Sequence, residues 1–137
     1  MEAPSYDRPL PVPDLDSAPF WEACRRHELR FQRCGDCGAF RFPPNPVCHR
    51  CRSRAVEWAE SSGKGAVFSW IVVVHPVLPM WRPYVPYAVV LVEMDEGVRM
   101  AGNLRGCAPE DIREGMRVEV TFEDVTPEVT LPQFRAA

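Results

Sequence analysis

Two Cys-x-x-Cys pairs, Cys34/Cys37 and Cys48/Cys51, stand ten residues apart in the stretch CGDCGAFRFPPNPVCHRC. No other feature constrains the fold as strongly. Four soft thiolates delivered in pairs suit one tetrahedral metal ion. A thioredoxin-like redox site needs a single pair between a strand and a helix in an α/β setting, and here there are two. Gly35 and Gly38 give the first knuckle the backbone freedom that a tight turn wants. The second knuckle, CHRCR, has no glycine, so its turn is expected to be looser or mildly strained. Zinc and iron both accept four thiolates. Zinc is favoured over iron because no acidic docking cluster surrounds the site.

A metal module and its helix make about 40 residues, a size that rarely folds without a staple. The metal is therefore read as a clamp, and the rest of the 137-residue chain must supply the core. A hydrophobic share of 46% is enough for one domain built as two small lobes. A net charge of −3 argues against a protein-wide nucleic-acid field. No apolar run reaches the ~18 residues of a membrane helix. The start, MEAPSYDRPLPVPDLDS, lacks the basic and then apolar regions of a signal peptide. Six cysteines in that setting point to the reducing cytoplasm, where paired cysteines hold metal rather than form disulfides.

Along the chain, residues 1–16 are Pro-rich and read as an extended, loose arm. Ser17-Ala18-Pro19 reads as a helix start. FWEACRRHELRF (20–31) continues it at helical spacing, with Phe20, Cys24, His27 and Phe31 on one face and Trp21 beside them. Phe40-Arg41-Phe42 and AVEWAE (55–60) are short strands. SSGKG (61–65) breaks the pattern, so a helix and ribbon lobe is placed at 17–62 and a second lobe at 63–137. That second lobe reads as β: AVFSWIVVVH (66–75), YAVVLVEM (87–94), VRMAGNL (98–104), MRVEVTFED (116–124) and VTLPQF (129–134). CAPEDIREG (107–115) adds one helical turn closed by Gly115. Five strands with a short helical insertion suit a Greek-key barrel of the OB type.

Between positions 25 and 54 there are eight arginines and two acids, Glu28 and Asp36. They offset the net negative charge of a zinc tetrathiolate, or they form a phosphate or partner surface; both readings stay open. His27 is read as a packed core histidine, His49 as a solvent-facing loop residue, and His75 as a strand-end residue with room for a functional role. Cys24 and Cys107 have no spaced partner and read as small buried hydrophobes. There is no Ser-His-Asp or Cys-His set, no phosphate-binding loop and no Gly-x-Gly-x-x-Gly. The loop PVLPMWRPYVP (76–86) carries Met80, Trp81 and Tyr84. It is long for a small barrel, and Met and Trp are common interface anchors.

Taken together, FWEACRRHELRFQRCGDCGAFRFPPNPVCHRC, GKGAVFSWIVVVHP, PYAVVLVEMDEGVRMAGNL and the terminal LPQFR resemble the acyl-CoA-associated OB-fold family. Many relatives carry Gly after the fourth cysteine, where this chain has Arg52. The resemblance implies an N-terminal helix, a rubredoxin-like zinc ribbon and an OB barrel. It also implies a non-catalytic accessory role beside thiolase-superfamily enzymes, such as lipid-transfer-protein-like thiolases or aldolases of steroid or fatty acyl-CoA side chains. Two copies of each chain are expected, with CoA at the shared edge. Phe20, Trp21, Met80, Trp81, Tyr84 and Phe134 are the expected partner contacts. The alternative is a single-stranded nucleic-acid binder, since OB barrels and zinc ribbons both serve that use.

Overall fold

A computed structural model describes residues 6–137. Its first regular element is a short helix, α1 (Ala18–Arg25), with Pro19 in its first turn. Asp14 and Ser17 close the turn before it: the Asp14 amide donates to Ser17 Oγ (3.0 Å) and the Ser17 amide to Asp14 Oδ1 (2.7 Å). The helix ends six residues before the expected Phe31. At its C-terminus the Glu28 amide donates to the Ala23 carbonyl and the His27 amide to that of Cys24, both at 2.9 Å. His27 occupies the left-handed position of this cap, at φ 59°. Glycine normally marks such a stop, so a histidine there gives no sequence signal.

The chain then reverses into β1 (Arg30–Cys34), which carries Phe31 into the core as a strand residue. β1 is the middle strand of a three-stranded antiparallel sheet, between β2 (Phe40–Arg41) and β3 (Val56–Glu60). His27 is not a core residue as expected. Its ring is exposed, stacks on Phe122 at 5.3 Å and donates from Nε2 to Asp124 Oδ1 at 2.9 Å. Asp124 also accepts from Thr130 Oγ1 at 2.6 Å. A three-residue polar tie therefore links the end of α1 to the second lobe.

The second lobe is a closed barrel of β4 (Lys64–Val73), β5 (Tyr87–Met94), β6 (Arg99–Arg105), β7 (Arg117–Asp124) and β8 (Thr130–Ala136). Around the barrel the order is β4-β5-β6-β8-β7, with β6 and β8 parallel and the other pairs antiparallel. This is the OB order, as expected. β4 begins two residues earlier than the breaker cluster suggested. Gly65 lies inside the strand because β5 passes so close: a Cβ there would sit 2.5 Å from the Glu93 carbonyl oxygen. Between β6 and β7 the expected helical turn is a single 3-10 turn, Pro109–Asp111, and Gly115 follows at φ 81°.

One apolar core joins both lobes. Phe20, Cys24, Leu29 and Phe31 pack with Val67, Val90, Val92, Met94, Leu104 and Phe134 from the barrel. The arm's residues 6–16 have no regular secondary structure, yet they lie against the body. The Arg8 guanidinium sits over Tyr84 (4.0 Å), Tyr6 (4.4 Å) and Trp81 (5.5 Å).

Candidate metal centre

The four cysteines come together as the spacing requires. Cys34 ends β1, Cys37 follows one tight turn later, and Cys48 and Cys51 bracket the second turn. All four Sγ atoms lie within 4.8 Å of one another, with Cys34–Cys51 at 3.5 Å and Cys37–Cys48 at 3.6 Å. A tetrahedral ion with bonds of about 2.3 Å to sulfur needs edges of about 3.8 Å. The donor set and its spacing fit such an ion.

The two knuckles are near copies. The Gly38 amide donates to the Cys34 carbonyl and the Arg52 amide to the Cys48 carbonyl, both at 3.0 Å. The Cys34 amide donates to the Ala39 carbonyl (2.8 Å) and the Cys48 amide to the Ser53 carbonyl (2.9 Å). In both knuckles the residue after the second cysteine is left-handed, Gly38 at φ 77° and Arg52 at φ 64°. The strain expected from CHRCR is therefore located at Arg52. Gly35 is required for another reason, since a Cβ there would meet the Ala55 methyl at 3.0 Å.

Backbone amides prepare the sulfurs for a cation. The Cys37 and Asp36 amides point at Cys34 Sγ (both 3.4 Å) and hold its thiol down to about 6. Amides of Cys51 and Arg50 lower Cys48 in the same way. At Cys51 the Ser53 amide also favours the thiolate, but the crowding sulfurs of Cys34, Cys37 and Cys48 outweigh it and push the thiol up to about 12. Four thiolates cannot coexist at this distance without a positive charge among them, and a divalent ion supplies it. Ser53 Oγ donates to Asp36, which ties one knuckle to the other.

Behind the site lies a polar ring that the sequence did not reveal. Gln32 and Arg41 are both 4% exposed. Arg41 Nε donates to Gln32 Oε1 (2.9 Å), Arg41 Nη2 to the Asn45 carbonyl (2.9 Å), and the Asn45 amide back to Gln32 Oε1 (2.8 Å). This ring fixes the Pro43–Pro46 loop that spaces the knuckles. Arg41 is thus a structural residue and not part of a surface arginine patch. Arg33, Arg50, Arg52 and Arg54 are exposed, as is His49.

The ribbon matches the family model described as "ChsH2, rubredoxin-like zinc ribbon domain" over residues 21–57, and the barrel matches "ChsH2, C-terminal OB-fold domain" over 58–123. In the solved "Ltp2-ChsH2(DUF35) aldolase" a chain 41% identical superposes with a TM-score of 0.85, covering 93% of this chain and 98% of that one. This chain belongs to the ChsH2-type DUF35 family. A "DUF35 domain-containing scaffold protein" of Pyrococcus furiosus is 36% identical over 77% of each chain. A "Probable enoyl-CoA hydratase alpha subunit" of Thermomonospora curvata is 41% identical over 99% of this chain and 42% of that protein. The "3-oxo-4,17-pregnadiene-20-carboxyl-CoA hydratase alpha subunit" of Mycobacterium tuberculosis is 42% identical over 83% and 36% respectively. The chain therefore spans only about two-fifths of the hydratase subunits' length.

For this DUF35 chain the expected partner contacts divide in two. Phe20 (3% exposed) and Phe134 (0%) are core residues and offer nothing to a partner. Phe20 packs on Trp21 and Phe42 at 5.1 and 5.4 Å. The expected last strand VTLPQF is β8, which closes the barrel between β6 and β7 and turns Phe134 inward. Trp21, Met80 and Trp81 are half-buried and Tyr84 is exposed. Met80, Trp81 and Tyr84 share the 3-10 turn Pro79–Tyr84, with Trp81 packed on Tyr87 at 5.4 Å.

Cys24 is buried as expected, and burial pushes its thiol up to about 12, the opposite of an activated nucleophile. Cys107 is only partly buried. His75 is exposed and stands apart from any other titratable cluster among the described residues. Four barrel arginines are engaged by carboxylates: Arg99–Glu93, Arg105–Glu123, Arg117–Asp95 and Arg135–Glu119. Charges neutralised in place do not make a phosphate-tracking groove. No helix among the described residues is long and apolar enough to cross a membrane.

Proposed function

We propose that this chain is a non-catalytic accessory subunit that binds and supports a thiolase-superfamily enzyme acting on steroid or fatty acyl-CoA. The observation that carries the reading is the match, over nearly all of both chains, to the ChsH2 component of a two-component aldolase. The name "scaffold protein" on a relative of similar length supports it. So does the chemistry of the chain: four of its six cysteines are clustered for metal, and Cys24 is buried with a raised thiol.

Zinc is the proposed ion, held by Cys34, Cys37, Cys48 and Cys51. It would supply no catalytic step; four protein ligands leave it no open position. The clamp fixes the ribbon against α1 and the barrel, so that surfaces on both lobes keep a constant angle. Two copies of each chain are proposed, since a dimeric enzyme offers two equal docking sites. CoA at the shared edge, a cytoplasmic setting, and contacts by Trp21, Met80, Trp81 and Tyr84 complete the reading.

The test is purification of the tagged chain from its native host, with the bound protein identified and acyl-CoA cleavage assayed. The expected result is a thiolase-superfamily enzyme in equimolar amount, active in the complex, while the chain alone turns over nothing. Turnover by the chain alone that a point substitution abolishes overturns the accessory role. Steeply salt-dependent binding of single-stranded nucleic acid with no such enzyme bound overturns the partner.

A further inference from the structure

Strand β4 has two unlike halves. Residues Lys64–Ala66 pair with β5 on one side and β7 on the other, and the last bonds to the β7 side join Val67 to Met116 and Gly115. Beyond a bulge at Val67–Ser69 the strand runs on to Val73 paired with β5 alone, among the described residues. Trp70 and Val72 stand opposite the buried Val90 and Ala88, so they face the barrel interior, while Ser69, Ile71 and Val73 face outward. Yet Val72 is 38% exposed and Ile71 63%. The distal half of β4 therefore exposes apolar side chains from both faces and, among the described residues, a hydrogen-bonding edge with no partner strand.

Beyond the bulge, the chain sets no charge on that edge. From Gly65 to Trp81 there is no Asp, Glu, Lys or Arg, in a protein whose charged residues make up 26%. Natural edge strands are commonly protected by such charges, and a long, bare, apolar edge is a template for another strand. The segment after the strand continues the surface, with Val74, Val77 and Leu78 at 55%, 96% and 43% exposure. Together with Phe68, Ile71 and Val72 these side chains expose roughly 500 Å², against the ~800 Å² that each side of a standard interface buries.

We infer that the free edge of β4 and the following 74–78 segment are the surface on which the enzyme subunit docks, by adding an uncharged strand edge and apolar contacts of its own. The inference rests on the accessory-subunit reading. The strand itself carries no charge, and Arg99, which lies over Phe68 at 3.7 Å, is engaged by Glu93, so phosphate chains and acidic peptides find little to pair with along the strand. A second copy of this chain fits poorly. Antiparallel pairing of two β4 edges about a twofold axis between Trp70 and Ile71 would set Val77 of one copy level with Lys64 of the other. At that end the Asp95 amide bonds to the Lys64 carbonyl and Asp95 pairs with Arg117, so apolar side chains would meet an ion pair. The surface is not complementary to itself, and isologous contacts require that it be. The aromatic turn at 79–84 adjoins the patch but is partly covered by Arg8, which makes β4 the more open anchor.

The experiment uses the thiolase-superfamily enzyme that co-purifies with the full chain, produced recombinantly as the probe. Ile71→Glu/Val74→Glu places two charges on exposed side chains, and Glu57→Lys, an exposed position on β3, serves as a surface control. Zinc content and melting temperature of each variant report folding. The expected result is that the double variant folds, binds its metal and loses about 100-fold or more in affinity for the enzyme, as hot-spot loss does, while the control binds as the parent does. Unchanged affinity of the folded double variant overturns the β4 surface and leaves the accessory role standing. If the parent sediments as a dimer that the double variant dissolves without loss of enzyme binding, the occupant is a second copy and the inference is wrong. Failure of the parent to bind any such enzyme removes the accessory reading itself, and the docking surface with it.

Discussion

The ribbon and the barrel are both small β structures, held by different forces. The barrel interior is mostly apolar, with Val67, Val90, Val92, Met100, Ile112, Val118 and Phe134 all 2% exposed or less and only Thr130 and Gln133 of β8 as buried polar residues among those described. In the ribbon, the polar Gln32 and Arg41 are only 4% exposed, beside Phe31 at 0%, while Val56 on β3 is 41% exposed. Burial of large apolar side chains stabilises by about 1.5–3 kcal/mol each, and the barrel has many of them where the ribbon has few. What the ribbon lacks in apolar contact it replaces with four cysteine sulfurs converging on one point and the buried Gln32–Arg41 pair hydrogen-bonded to the Asn45 backbone. The lesson is that the metal matters in proportion to the core it substitutes for.

Metal removal tests this difference most severely. Structural zinc contributes apparent binding energies of about 10 kcal/mol or more to small modules. Chelation, or Cys48→Ser, should abolish amide protection across residues 30–58 while β5 (Tyr87–Met94) keeps its own, as read by hydrogen exchange. Equal loss of protection in β5 would mean the two regions do not differ in this way. The next effect in size is on the other side. Phe134→Ala should destabilise the chain by about 3–5 kcal/mol, and because the core is shared, one cooperative transition should shift by calorimetry. A variant that melts in two steps, with the ribbon unmoved, would show the lobes to be independent. The smallest concerns the knuckles themselves. A left-handed non-glycine residue costs about 1–2 kcal/mol, so Arg52→Gly should stabilise the metal-loaded protein by about 1 kcal/mol in denaturant titration. A loss of stability would mean that the Arg52 side chain contributes more than its backbone strain costs.

Several features were legible before any coordinates. The ligand set was readable because four cysteines at that spacing have few other uses. The strands at 87–94 and 116–124 were readable because alternation survives wherever one face is covered. The end of α1 was not, because a histidine holds the left-handed cap position that glycine usually announces. The polar ring was not, because Gln32 and Arg41 are ordinary surface types that two different strands bring inside, and Asn45 joins them only through its backbone.

The same limit explains the error at the partner surface. Phe134 and Ile71 are both large apolar residues in strands, and nothing local distinguishes them. Phe134 is wholly buried because β8 lies between β6 and β7, where Gly102 leaves room for its ring: a Cβ there would be 3.1 Å from Phe134 Cδ2. Ile71 is 63% exposed because it lies on the outer face of β4, which no other described segment covers. Sequence by itself determined the four-cysteine cluster, the order of the elements and the five-stranded barrel, since each depends on residue chemistry or on a period along one segment. Which apolar faces are covered and which are offered to another protein was decided only by tertiary structure, because the atoms that cover a strand come from segments far away in the chain.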